Sequence, residues 1–203
     1  MRKEKKGFTL IEVLITVVIL SLLGGALLSL QHIIGKNQTM VLKNYRSIDE
    51  ANRYVAVFIR EVRSARSGEN AAYALDTVND NEIVFFSDIN FNGEVERVRY
   101  AVNSSRLIKG VTKPVGYPAI YPSDQEEIVI LTNNVRNQDE PAFTYYNGDW
   151  PEDIQNNPLP PAQRLSGTRT VGIYIRINPH PDNPEGDYVL ESYGQIRMLK
   201  ENL

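Results

Sequence analysis

The sequence predicts an α+β protein in which a long N-terminal helix is followed by antiparallel β-structure. Three observations support this class: an apolar run over 8–30, an amphipathic helical pattern over 31–67, and short β-branched or alternating runs over 68–203 that are separated by turn residues. The length of 203 residues corresponds to about one domain, or one domain plus an appendage. The chain average of 42% hydrophobic residues conceals this division, so each segment is more informative than the whole.

Charge is distributed as unevenly as hydropathy. Residues 1–7 carry a net charge of +3, whereas Gln31–Leu203 carries 18 basic and 23 acidic side chains. A basic start before an apolar run is expected to stay in the cytoplasm, and an acidic remainder can be exported. The composition excludes a disordered chain, a multi-span membrane protein and a strongly basic nucleic-acid binder, so nucleic acid is not an expected partner. The absence of cysteine excludes disulfides and thiol catalysis.

The apolar run from Phe8 to Leu30 contains 16 hydrophobic residues and a single charge, Glu12. As a helix it would be about 35 Å long, which is enough to cross a hydrocarbon core of about 30 Å. It is longer than the apolar region of a secretory signal peptide, and a plain signal anchor gives no reason for a carboxylate. Such a charge costs roughly 3 kcal/mol at the centre of a membrane span, so Glu12 is expected to have a partner.

The residues around Glu12 explain the charge. The string Lys5–Val13, KKGFTLIEV, closely resembles the processing site of type IV prepilins and type II secretion pseudopilins. The resemblance implies that prepilin peptidase removes a leader of residues 1–7 by cleaving between Gly7 and Phe8, and then methylates the amino group of Phe8. It also implies that Glu12 pairs with the N-terminal ammonium of a neighbouring subunit in a filament. Phe8 and Glu12 are four positions apart and share one helix face, which fits that role.

The resemblance also implies an architecture, a location and partners. A pilin-like lollipop is expected, in which one long helix is transmembrane in its first half and amphipathic in its second, where it packs on an antiparallel β-domain. The expected location is the bacterial inner membrane, with a cytoplasmic N-terminus and a periplasmic or extracellular domain. The stretches 83–100 and 195–199 look most like the larger minor pseudopilins of the J type, or the related W-type minor pilins. The expected function is therefore a minor pseudopilin of a type II secretion system, or alternatively a minor pilin of a type IV pilus.

Two features of the helical segment carry specific expectations. Gly24-Gly25 predicts either a loosened or kinked turn or close packing of helices through small residues. Apolar residues from Val41 to Val62 recur at spacings of three and four, which predicts an amphipathic helix that stops near Ser67-Gly68. Arginines and acidic residues alternate between them, Glu61 included, and are expected on a solvated face.

Residues 68–203 predict antiparallel strands and two long loops. An Asn-Gly pair within Asn90–Gly93 is a strong hairpin signal. The long loops are expected near 110–124 and 147–167, where proline and asparagine are frequent. The amphipathic helix is expected to lie on a sheet made of the following strands: 82–87, 94–102, 106–111, 127–131, 142–146, 170–177 and 188–199.

The hairpin turn is also a candidate ion site. Asp88, Asn90, Asn92 and Glu96 place oxygen atoms at alternate positions around Gly93, as at the start of an EF-hand calcium loop. The twelfth position of that loop is arginine instead of a bidentate glutamate. The alternative is an ordinary turn, because Asn and Asp tolerate left-handed backbone geometry. Apart from this weak calcium candidate, no cofactor is expected.

No motif of a known enzyme class is present, so catalysis is not expected. The two histidines, His32 and His180, are expected at the surface and not as ligands. A different function class, a tip adhesin or DNA-uptake receptor, would use an aromatic recognition surface in the long loops. The residues considered for it are Tyr117, Tyr121, Tyr145, Tyr146 and Trp150.

Overall fold

The structure, a computed structural model, describes residues 7–178 and 186–199. The predictions for leader residues 1–6 and for His180 lie outside the described residues. The chain divides into two compact units, Met1–Tyr45 and Arg46–Leu203. Helix α1 spans Leu10–Arg63, so its first part belongs to the first unit and its last part to the second.

The first part of α1 is apolar and uncovered. Its hydrophobic side chains from Phe8 to Leu30 are exposed on every face of the helix. The helix continues without interruption through Gly24 and Gly25, where a loosened turn was one of two expectations. The hydroxyls of Thr16, Ser21 and Ser29 donate to backbone carbonyl oxygens three or four residues earlier, at 2.8–3.0 Å. These polar groups are therefore satisfied without water, as a hydrocarbon environment requires.

The second unit combines the end of α1 with antiparallel strands and a short helix. Its elements are β1 Leu75–Val78, β2 Glu82–Ser87, β3 Glu96–Asn103, β4 Arg106–Thr112, β5 Glu127–Thr132, β6 Phe143–Tyr146, α2 Pro161–Gly167, β7 Thr170–Ile177 and β8 Tyr188–Gln195, with single 3-10 turns at Ser123–Gln125 and Arg197–Leu199. The predicted α+β class, a long N-terminal helix followed by antiparallel sheet, is confirmed.

The strands form two sheets, whereas the sequence predicted one. The first sheet has the order β1-β2-β3-β4-β5 and the second the order β6-β7-β8. Strand β1 was not predicted because it has only four residues, and α2 was not predicted because it lies in a segment taken for a Pro-rich loop. That helix starts at Pro161, where a proline fits because the first helical N–H has no partner to lose. Helix α1 ends at Arg63, four residues before the predicted stop.

The predicted hairpin at Asn90–Gly93 joins β2 to β3. The connection spans residues 88–95, so it is longer than a tight two-residue Asn-Gly turn. Its backbone takes positive φ angles of 55° at Phe91 and 92° at Gly93, and the second lies in a region that glycine enters without cost. The register pairs Ser87 with Glu96 next to the turn. Local turn chemistry therefore sets the alignment of the two strands.

The core lies between the last part of α1 and both sheets. Ala51, Val55, Phe58 and Val62 are buried at spacings of four, three and four, which places them on one helix face. The ring centroid of Phe58 lies within 6.4 Å of the ring centroids of three other aromatic residues. Phe85 and Tyr100 belong to the first sheet, and Phe143 belongs to the second. A single helical residue thus contacts both sheets.

Glu61 is buried, which corrects the prediction of a solvated charge. Its side chain accepts hydrogen bonds from the Tyr100 hydroxyl at 2.7 Å and from Lys109 Nζ at 2.6 Å. The residue is 4% exposed. Position 61 lies three residues after Phe58, so it shares the buried face, and the partners come from β3 and β4. Burial, followed by the charge of Glu61, raises the pKa of Tyr100 far above its usual value, so its hydroxyl stays a donor.

Candidate processing and assembly site

The N-terminus of α1 carries a reciprocal capping arrangement. Thr9 precedes the first helical residue, and its carbonyl accepts from the N–H of Val13 at 3.3 Å. The Glu12 carboxylate accepts from the backbone N–H and from the hydroxyl of Thr9, both at 2.9 Å, and the Glu12 N–H donates back to Thr9 Oγ1 at 3.4 Å. This is a capping box, in which a threonine and a glutamate three residues later satisfy helix-end donors for each other.

Only one of the two carboxylate oxygens of Glu12 accepts hydrogen bonds in this arrangement. Both hydrogen bonds from Thr9 reach Oε2. Within the described residues, no donor reaches Oε1 and no basic side chain pairs with the carboxylate. Glu12 is also exposed, on a helix that is otherwise apolar around it. The site can therefore accept a further cation on Oε1 without giving up its cap.

The predicted cleavage point lies just outside the helix. Gly7 and Phe8 are non-helical and exposed, and the Phe8 side chain is 87% exposed. No described atom outside its immediate neighbours lies within 4 Å of the position that a Cβ on Gly7 would take. The described part of the fold would therefore accept a side chain at position 7. A requirement for glycine there would instead come from an enzyme that approaches the backbone closely.

By length and composition, Leu10–Lys36 is the one helix among the described residues that could cross a membrane, with a mean hydropathy of 2.6. A family model described as the prokaryotic N-terminal methylation motif matches residues 2–28, which cover the capping box and the start of this helix. This match supports the type IV pilin and pseudopilin family. The motif implies processing by prepilin peptidase and assembly with other pilins, and the single apolar helix is consistent with a single-pass membrane anchor. No curated protein matches this chain significantly.

The calcium candidates are engaged in a turn. Asp88 accepts from the backbone N–H groups of Asn92 and Gly93 at 3.1 Å and pairs with Arg66 at 2.9 Å. Glu96 is fully buried and accepts from the Ile89 N–H and the Asn90 side-chain amide. Asn92 Oδ1 accepts from the N–H of Glu94 at 2.9 Å. The carboxylate oxygens of Asp88 and Glu96 and the amide oxygen of Asn92 thus accept from N–H donors, an arrangement typical of the ordinary turn.

Titratable clusters elsewhere do not suggest a metal centre. Across residues 7–178 and 186–199, no three His, Asp or Glu side chains converge in a way that could hold a metal ion. His32 is exposed on the apolar helix.

Two of the aromatic residues considered for a recognition surface use their hydroxyls for hydrogen bonds within the chain. Tyr145 is fully buried and donates its hydroxyl hydrogen bond to the carbonyl of Asn79 at 2.7 Å, and burial raises its pKa. The Tyr121 hydroxyl donates to the carbonyl of Val95 at 2.7 Å and accepts from the N–H of Glu69. Tyr145 is therefore not available as a ligand surface, whereas Tyr121 is half-buried and its hydroxyl joins the segments at Glu69 and Val95.

The other aromatic residues divide into two places. Tyr146 and Trp150 contact each other and Tyr193 of β8, with Trp150 at a ring-centroid distance of 4.8 Å from both. Tyr117 is fully exposed on the loop between β4 and β5. Tyr193 was missed because it alternates with polar residues on a strand, and only the β7–β8 register brings it next to the loop residues. The five residues do not form the single surface that the loops suggested.

Proposed function

We propose that this chain is a minor pseudopilin of a type II secretion system, which joins a short periplasmic filament at or near its tip and supports protein secretion. The proposal is supported mainly by the N-terminal site, where a methylation motif matches residues 2–28. Within this motif, Glu12 lies on an exposed apolar helix, and only one of its two carboxylate oxygens accepts hydrogen bonds from described residues. The choice of secretion over a pilus is supported by the looser likeness of 83–100 and 195–199 to J-type pseudopilins.

Processing would create the partner that Glu12 lacks. Hydrolysis of the Gly7–Phe8 peptide bond by prepilin peptidase leaves a carboxylate on Gly7 and an ammonium on Phe8. After this ammonium loses a proton, the amine would take one methyl group from a sulfonium methyl donor, which leaves as a thioether, and the N-methyl amine remains cationic by binding a proton. The same cut removes the leader with its net charge of +3, so the mature chain begins with its apolar helix.

Assembly would then pair the two charges between subunits. An ammonium at Phe8 and a carboxylate at Glu12 are each costly in hydrocarbon, and together they cost less because each satisfies the other. Glu12 Oε1 is the acceptor that supports this pairing, since Oε2 already caps the helix. The contact is head-to-tail, so it repeats along a filament and does not close into a dimer.

The role is structural and not catalytic in this proposal. The protein would be stored in the inner membrane as a single-pass subunit, with its N-terminus in the cytoplasm and its β-domain in the periplasm. The β-domain would supply specificity for neighbouring subunits, and the apolar helix would supply the packing energy of the filament core.

A minor pilin of a type IV pilus is the alternative, active in pilus assembly, adhesion or DNA uptake. The exposed Tyr117 and the aromatic cluster at Trp150 favour a binding role for it. The net charge of −5 over Gln31–Leu203 argues against DNA as its ligand.

Intact-mass measurement of the full chain, expressed with and without prepilin peptidase, tests the proposal. With the peptidase, the chain is expected to lose residues 1–7 and to gain the mass of one methyl group. Gly7→Val should block this change, whereas Gly35→Val, at another glycine with open space around it, should not. A chain that still begins at Met1 beside an active peptidase would refute the pilin-type role. Loss of protein secretion, with pili intact, on deletion of the gene distinguishes the secretion system from the pilus.

A further inference from the structure

The outer edge of β5 is the least protected part of the β-domain. Strand β5 is the last strand of the five-stranded sheet, so only β4 pairs with it. Within the described residues, no hydrogen bond joins the backbone of Glu127–Leu131 to any segment other than β4. Alternate N–H and C=O groups of this strand therefore face outward without a protein partner, which is the arrangement that templates a further strand.

The side chains of β5 are as unusual as its backbone. Ile128, Val129 and Ile130 are 56%, 57% and 47% exposed. Consecutive residues of a strand point to opposite faces, so the edge is apolar on both sides. The sequence of Glu127–Thr132, EIVILT, contains none of the prolines or lysines that usually protect an exposed edge.

The opposite edge of the same sheet is protected. Strand β1 has only four residues and its pairing with β2 shifts register between Leu75 and Thr77. Helix α2 contacts β1, and Arg164 from this helix pairs with Asp80, just after the strand, at 2.8 Å. The chain thus covers one edge with its own residues and leaves the other apolar and uncovered.

We propose that the outer edge of β5 binds an extended apolar segment donated by a different pilin-type subunit, which adds to the sheet as a sixth strand. The open backbone groups specify a strand, since only an extended backbone matches their spacing. Asp124, in the turn before β5, and Glu127, the first residue of the strand, are exposed and have no basic partner among the described residues, which favours a segment with lysine or arginine at the matching end.

A second copy of this chain fits the edge less well. Pairing β5 with itself is two-fold symmetric and places two subunits in opposite directions. Subunits stacked head-to-tail through Glu12 all point the same way, so their contacts are heterologous. This inference rests on the proposed assembly role, and it adds the partner class and the surface on the β-domain that selects it.

Site-specific photo-crosslinking in cells tests the contact. The full-length chain would carry a photoreactive phenylalanine at Ile130, with two comparison positions: Ile154, which is 78% exposed outside the strands, and Leu14 in the apolar helix. The Leu14 probe reports assembly through the helix. The Ile130 probe is expected to capture another pilin-type subunit at least tenfold more efficiently than the Ile154 probe.

A blocking variant and hydrogen exchange complete the test. Ile128→Lys combined with Val129→Lys, which changes only exposed side chains, should reduce the Ile130 photo-crosslink at least tenfold and leave the urea midpoint unchanged. The outward-facing amides of Glu127–Leu131 should exchange rapidly in the detergent-solubilised chain alone and become protected when it is co-purified with the captured subunit.

The outcomes separate the two proposals. Capture through Leu14 without capture through Ile130 would overturn this inference and leave the assembly role intact, and loss of both would refute the assembly role itself. Capture of a second copy or of an exported protein at Ile130 would overturn the partner that we assign. Slow exchange of the outward-facing β5 amides in the isolated chain would show that the chain covers this edge itself, which also overturns the inference.

Discussion

Glu12 and Glu61 lie on the same helix and show two ways in which a carboxylate can leave water. Glu61 is 4% exposed and is satisfied inside its own domain by Tyr100 and Lys109. Glu12 lies on an uncovered apolar segment, where Thr9 engages only one of its oxygens among the described residues. A carboxylate that the chain satisfies itself stabilises the fold, whereas one left half-satisfied in an apolar span indicates a contact with another chain.

The largest expected effect on the free energy of unfolding comes from Glu61→Ala. The substitution leaves the Lys109 ammonium and the Tyr100 hydroxyl buried without their acceptor, which should cost about 3–5 kcal/mol. Urea unfolding of the detergent-solubilised chain, followed by fluorescence of its single tryptophan, measures the change. Glu50→Ala, at an exposed position of the same helix, is the matched control and should change stability by less than about 0.5 kcal/mol. Equal effects of the two variants on the free energy of unfolding would contradict the stabilising role that we assign to the buried Glu61.

A smaller loss is expected for Tyr100→Phe. This variant keeps the buried ring and removes only the hydroxyl that donates to Glu61 at 2.7 Å. The expected cost is about 1.5–3 kcal/mol, the range for a hydrogen bond to a charged group. A double-mutant cycle with Lys109→Met should show coupling between the two donors, because they share one carboxylate. Strict additivity would show that the two contacts act independently.

The Arg99–Glu126 pair should give stability a pH dependence on the order of 1 kcal/mol. Hydrogen bonds from the Arg99 guanidinium, at 2.6 and 2.7 Å, hold the pKa of Glu126 below its ordinary value of 4.5. The pair therefore contributes its full stability above about pH 4.5 and loses it as the pH falls through the lowered pKa in the folded state. Glu126→Gln should flatten this part of the acid limb in unfolding experiments between pH 6 and 3. An acid limb identical to that of the unmodified chain would contradict this assignment.

The smallest expected effect is that of calcium. Asp88 and Glu96 are satisfied by N–H donors of their own turn and, like Glu61, should have no need of an outside partner. Millimolar calcium should therefore leave the thermal unfolding midpoint of the full chain unchanged. A saturable rise in the midpoint would show that the turn rearranges around the ion. The carboxylates of the turn would then, like Glu12, bind a partner from outside the chain.

The sequence predicted features that depend on neighbouring residues. The processing string, the apolar span and the Asn-Gly hairpin are all encoded within a few positions. Glu61 was misplaced because its partners are contributed by β3 and β4, about 40 and 48 residues further along the chain. Its local pattern, acidic residues among arginines, is also the pattern of a solvated helix face.

The division into two sheets has a similar cause. Strand propensity predicts that 127–131 and 142–146 are extended but does not decide which strand each one pairs with. Contacts distant in sequence decide it, such as the backbone hydrogen bond from Phe143 to the carbonyl of Asp80 at 2.8 Å. The exposed edge of β5 follows from that same choice, since β6 pairs with β7 and leaves β5 as the end of its sheet.

The most direct test of the central claim is the assembly of Glu12→Gln measured beside its processing. Glutamine at this position can still accept from Thr9 and keep the helix cap, but it carries no charge for the ammonium of a neighbouring Phe8. The variant should lose residues 1–7 normally, keep the urea midpoint of the unmodified chain, and fail to cross-link through Leu14 to other pilin-type subunits. Cross-linking at the level of the unmodified chain would contradict the role that we assign to this carboxylate.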